Sequence, residues 1–131
     1  MRILVIAAHP DDEVLGVGGT MLKHAKNGDF VKVIILATGI TSRMKSGYEN
    51  SSKYELNSSE SKNMKKEIEL LRTNAKKASK ILNVTKTEFY DLPDNEMDSI
   101  PLLQIVKIIE NEIQKEKQES KKYWIFSSKE Y

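Results

Sequence analysis

The 131-residue chain has no cysteine, three prolines, two histidines and one tryptophan. Without cysteine there is no disulfide frame, no thiolate metal site and no thiol nucleophile, so a metal would have to be held by His, Asp, Glu or water. A cysteine-free chain is compatible with the cytoplasm, which is the expected location. No apolar stretch approaches the roughly 20 residues of a membrane span, and the run over residues 2–8 is too short for a signal segment. Charge of one sign is also missing. With 21 basic and 19 acidic residues the net charge is +2, which gives no footprint for nucleic acid or an anionic membrane. A small-molecule partner fits that balance better.

What is present reads as one α/β domain over residues 1–131. "RILVIAAH" is a short apolar run rich in β-branched residues, the pattern of a strand buried on both faces in a parallel sheet. Pro10 ends it. "EVLGVGGTMLKHAKN" then carries Leu15, Met21, Leu22 and Ala25 near one helical face, and Gly28 stands where a helix commonly closes. Gly16, Gly18 and Gly19 each cost that helix roughly 1 kcal/mol against alanine, so they are expected to lie close against the sheet backbone. "FVKVIILATG" returns as a second strand, making a right-handed βαβ unit. Residues 39–62 lack periodicity and read as a long loop, a second helix is expected over about 63–82, and "TEFYDL" is a third strand. Ser99 before Ile100-Pro101 is expected to cap a third helix reaching about Lys117, and "YWIFSS" is a fourth strand with Trp124 and Phe126 in the core. "QKEKQESKK" reads as a solvated helix end. An apolar edge left open beside the fourth strand would allow a homo-oligomer.

The chemistry concentrates in "AHPDDE", where His9 and three consecutive acids, Asp11, Asp12 and Glu13, directly follow the first buried strand. Open parallel sheets bind ligands beyond the carboxyl ends of their strands, which is where this run falls. Three adjacent acids repel one another. A turn with one Asp capping the helix would explain one of them, because an N-cap needs a single acid. An imidazole with several carboxylates instead matches the N,O ligand set of zinc or another divalent transition metal, with a carboxylate left over for proton transfer. His24, mid-helix, is expected to be exposed or at the rim. "GVGG" lacks the spacing of a dinucleotide fingerprint, so a nucleotide-binding module is the weaker reading.

The stretch "AHPDDEVLGVGGTMLKHAKNGDFVKVIILATG" resembles the start of the LmbE-like, PIG-L deacetylase family, and similarity continues through "GITSR", "LRTNAKKASKILNV" and "FYDLPDNEMD". The resemblance implies a Rossmann-like three-layer fold with a mainly parallel sheet and a zinc-dependent hydrolase that removes acetyl groups from N-acetylglucosamine-type amino sugars. Carried over to this chain, His9 and Asp12 would be metal ligands and Asp11 the base on the water. Glu13 would at most support them from behind. The loop after the second strand would shape the sugar pocket, pointing to Thr41, Ser42 and Arg43. Two departures matter. The family often has a glutamate in the second helix near where Asn74 stands, and it completes its metal site with a histidine after the strand that here reads "YWIFSS". Ser127 and Ser128 occupy that place, with Tyr131 three residues on, so the chain is expected to be shortened at its C-terminus relative to the family. The alternative to an enzyme is therefore a noncatalytic remnant or split-gene half that binds metal or sugar, or needs a partner segment.

Overall fold

The computed structural model describes residues 1–39, 58–92, 100–120 and 122–127. Its strands are β1 (Arg2–Ala7), β2 (Phe30–Ala37), β3 (Lys86–Leu92) and β4 (Tyr123–Ser127), joined by helices α1 (Asp12–Lys26), α2 (Ser58–Ile81) and α3 (Leu102–Glu119). The strands pair in parallel in the order β3-β2-β1-β4. This is the α/β class expected from the alternation of apolar strands with amphipathic helices.

Both faces of the central strands are covered, which is why β1 and β2 are apolar throughout apart from Arg2 and Lys32. Ile3, Val5, Ala7, Val31, Val33 and Ile35 point toward α1 and α2, where Met21 and Ala75 close the core. The alternate set, Leu4, Ile6, Ile34 and Leu36, points toward α3 and meets Ile105, Ile108, Ile109 and Ile113. Period-two strands between helical stripes thus give three layers. Each buried Leu, Ile or Val stabilises this sandwich by roughly 1.5–3 kcal/mol.

The strand order decides where a ligand can sit. From β1 the chain moves outward to β2 and β3, then crosses to the other side of β1 to form β4. The strand order reverses between β1 and β4, and open parallel sheets bind ligands beyond the carboxyl ends of their strands at such a reversal. Residues 8–13 leave β1 at this point.

Several expectations need correction. The second helix begins at Ser58, so the stretch 58–62 is helical and not loop, and residues 40–57 lie outside the described residues. Polar residues in a first turn leave no apolar period to read, which hides a helix start. Among the described residues a methyl group added at Gly16 or Gly19 would meet no atom within 4 Å, and one at Gly18 would meet the Val14 and Leu82 side chains. These glycines do not allow close approach to the sheet. Instead they flank a break in α1 at Val17, whose φ of −137° and ψ of 15° leave the helical region, and glycine lowers the cost of such a kink. Ser99 lies outside the described residues. Pro101 holds the cap position of α3, its carbonyl accepting from the Gln104 N–H at 2.7 Å. Phe126 packs on the core as expected, but Trp124 is 59% exposed, since among the described residues β4 pairs only with β1.

Candidate active site

β1 ends at Ala7, and the Ala8 carbonyl accepts from the Ala37 N–H at 2.8 Å, so β1 and β2 stay clamped where the site begins. Gly39 follows with φ of +75° and lies against the Pro10 ring and the His9 side chain. The chain then folds back on itself. The His9 backbone N–H donates to Asp12 Oδ2 at 3.0 Å, and the same oxygen lies 3.7 Å from His9 Nδ1. The ligand pair expected from the sequence is therefore brought together, with both side chains partly open to solvent.

Asp11 stands at the cap position of α1 but its side chain makes no capping bond. The Val14 and Leu15 N–H groups donate to its carbonyl, at 3.0 and 2.9 Å. The helix start is satisfied through the backbone, so capping does not account for the acid. Its φ of +137° is a conformation that L-residues rarely adopt. Glu13 supplies what holds it there: Glu13 Oε2 accepts the Asp11 N–H at 3.0 Å.

Glu13 itself is 2% exposed, and among the described residues its Oε1 has no hydrogen-bond partner. Burial pushes its carboxyl above the ordinary value, and the neighbouring charges of Asp11 and Asp12 act in the same direction against the backbone hydrogen bonds it accepts. Among the described residues no lysine or arginine pairs with Asp11, Asp12 or Glu13. A cleft of about 400 Å³ opens beside them between α1 and α2, lined by Asp11, Glu13, Leu15, Leu71, Asn74 and Ala78 among others. Among the described residues no three His, Asp or Glu side chains gather around one point. Thr41, Ser42 and Arg43 lie outside the described residues. His24 stands at the far end of α1, its Nδ1 2.7 Å from Asp29 Oδ2, away from His9.

The opposite end of the sheet holds a second group of charges. Lys32 of β2 is nearly fully buried and pairs with Glu112 of α3, with Glu88 at 3.1 Å and with Glu116 at 3.9 Å. Arg2 Nε reaches Glu116 at 2.6 Å, while Lys115 and the Tyr90 hydroxyl donate to Glu112 at 2.5 and 3.0 Å. Burial alone would raise the Glu112 carboxyl, but these hydrogen bonds outweigh it and hold it down to about 2. Burial and the Glu112 carboxylate push the Tyr90 hydroxyl up to about 12. Glu116 belongs to the stretch expected to be solvated; it is buried because Arg2 and Lys32 neutralise it. The sequence signal for this network is Lys32 inside an otherwise apolar strand.

Among the described residues no helix is long and apolar enough to cross a membrane. No curated protein matches the chain in sequence. Among solved structures it is similar to GalB, the 4-carboxy-2-hydroxymuconate hydratase from Pseudomonas putida KT2440, at 30% identity over 73% of this chain and 36% of that one, TM-score 0.54. It is similar in fold to the N,N'-diacetylchitobiose deacetylase from Pyrococcus horikoshii, at 22% identity over 73% of this chain and 31% of that one, TM-score 0.56. The matched part thus amounts to about a third of the length of either structure. The family model described as PIG-L, GlcNAc-PI de-N-acetylase, matches residues 4–128, and the chain belongs to that family.

Proposed function

We propose that the chain carries the base and two metal ligands of a hydrolase that removes the acetyl group from an N-acetylglucosamine-type amino sugar. The observation that carries this reading is the meeting of His9 and Asp12 at 3.7 Å beyond β1, beside an Asp11 that is not used as a cap. The donor set fits a divalent transition metal. One imidazole nitrogen and one carboxylate oxygen lie about as far apart as two ligands each about 2 Å from one ion, and among the described residues the three acids lack a cationic side chain to balance them. His9 and Asp12 would hold zinc or a similar ion, which when bound supplies positive charge that acidifies water and polarises an amide carbonyl.

Asp11 takes the proton from the attacking water and returns it to the amine nitrogen as the C–N bond breaks, so one carboxylate serves in turn as base and acid. Glu13 keeps Asp11 oriented through the backbone bond at 3.0 Å. The cleft between α1 and α2, lined by Leu15, Leu71, Asn74 and Ala78 next to Asp11, would seat the sugar, with apolar surface for its C–H face and the Asn74 amide for a hydroxyl. Ser42 and Arg43 are the further sugar-binding candidates.

A second reading is favoured by the 30% identity to a hydratase. The same base and cation would then add water across a carbon–carbon double bond of an unsaturated hydroxy acid. One protein sample separates the two: acetate release from N-acetylglucosamine derivatives, with zinc or cobalt added, supports the deacetylase. Loss of the conjugated absorbance of 4-carboxy-2-hydroxymuconate supports the hydratase. Neither activity at any metal concentration would leave the noncatalytic binding alternative in place.

A further inference from the structure

We infer that Gly39 is a positioning residue for the His9 ligand, and that the absence of a side chain there sets the spacing of the His9–Asp12 pair. This rests on the reading of His9 and Asp12 as metal ligands. Gly39 has φ of +75°, and a methyl group built on it would lie 3.1 Å from Pro10 Cδ, 3.6 Å from His9 Cβ and 3.9 Å from His9 Cδ2. At 3.1 Å the neighbour must give by a few tenths of an ångström. That neighbour is a proline ring with a locked φ, so it cannot swing aside as a flexible side chain would. The push passes into the backbone on either side, which is His9 and Asp11.

The size of the push is what decides the matter. Metal–ligand distances are held to about ±0.2 Å, so a shift of a few tenths is large for a ligand and negligible for a loop. The opposite side of the pair cannot absorb it either, since the His9 N–H is bound to Asp12 Oδ2 at 3.0 Å and the Ala8 carbonyl is clamped to Ala37 at 2.8 Å. The molecule also contains its own control. Gly28 closes α1 with φ of +79°, nearly the same backbone conformation, yet a methyl there meets no described atom within 4 Å. Alanine at either glycine incurs the same backbone strain, but only at position 39 does it press on the ligand loop.

The test is calorimetric titration of the whole chain with cobalt, together with the cobalt absorption spectrum, for wild type, Gly39→Ala and Gly28→Ala. Both variants should lose thermal stability through the positive φ, Gly39→Ala somewhat more because its methyl also meets Pro10. Gly39→Ala should bind cobalt about 10- to 100-fold more weakly, the cost usually seen when the support behind a ligand is disturbed, with an altered spectrum. Gly28→Ala should match wild type in both. Should alanine prevent folding, the Gly39→Asn and Gly28→Asn pair repeats the comparison, because asparagine tolerates positive φ while still carrying a Cβ. Equal cobalt affinity in Gly39 and Gly28 variants would overturn the positioning role. Absence of cobalt binding by wild type would overturn the ligand assignment on which it rests.

Discussion

The two ends of the sheet each bury acidic groups, and they treat them in opposite ways. At the amino ends of the strands, Glu88, Glu112 and Glu116 are each matched by Lys32, Arg2, Lys86 or Lys115, and Glu112 is held down to about 2. At the carboxyl ends, Asp11, Asp12 and Glu13 stand in sequence beside one histidine, Glu13 keeps an oxygen with no partner among the described residues, and its carboxyl is raised by burial. A saturated network spends its charges on holding α3 to the sheet. Among the described residues the acids at the carboxyl ends lack such lysine or arginine partners, the kind of imbalance that marks a candidate site.

The largest expected effect breaks the comparison on the active side. Asp11→Asn should lower turnover by about 10²–10⁴-fold, the usual worth of a positioned base, while the urea unfolding midpoint stays close to wild type. Steady-state acetate release and equilibrium unfolding measured on the same preparation check both halves.

On the structural side, Lys32→Met should destabilise the fold by about 3–5 kcal/mol, because it leaves Glu112 and Glu116 buried with too little positive charge. Lys32→Met combined with Glu112→Leu should cost less than the sum of the two single changes, since the pair is removed together. Urea unfolding of the three variants gives the cycle, and additive losses would show that the network does not act as a unit.

The pH dependence should carry opposite signs at the two ends. Glu112 binds fewer protons folded than unfolded, so its contribution is full above its ordinary value of 4.5 and is lost as pH falls toward about 2. Glu13, raised on folding, favours the folded state most below 4.5 and loses that contribution as pH rises through its folded value. Glu112→Gln should therefore flatten the acid limb of the stability profile. Glu13→Gln, which keeps an acceptor for the Asp11 N–H, should flatten the fall on the higher-pH side. Thermal unfolding between pH 2 and 8 in each variant, a range chosen to span roughly both transitions, reads the slopes directly.

The smallest effect concerns strain. Asp11→Gly should stabilise the fold by about 1 kcal/mol by relieving the positive φ, while removing the carboxylate that turnover needs. A variant less stable than wild type would show that the positive φ at position 11 carries no strain that glycine relieves, since the bond from the residue-11 N–H to Glu13 is kept in both.

Much of this is legible in the sequence because it is local. Strand runs that are apolar on both faces, interrupted only by Arg2 and Lys32, read as central parallel strands, and "AHPDDE" puts its histidine and acids within five residues, so the loop after β1 brings them together whatever the rest of the chain does. The features that escape a sequence reading are long-range or concealed. Lys32 and Glu112 are 80 positions apart, and Glu116 sits in a stretch so rich in lysine that its burial leaves no trace in the pattern. The glycines of α1 mislead because composition cannot separate a glycine that admits a neighbour from one that permits a kink.

By itself, then, the sequence determined the layer architecture and the identity of the groups at the mouth of β1, since hydrophobic period and adjacency are properties of the chain. Only the tertiary structure decided that Glu13 turns inward to hold Asp11 at φ of +137°, that Gly39 backs His9, and that the acids of α3 are neutralised by Arg2 and Lys32. The reason is that a charge costs or gains according to what folding places around it. That surrounding is set by strand order and helix crossing, which no short stretch of residues contains.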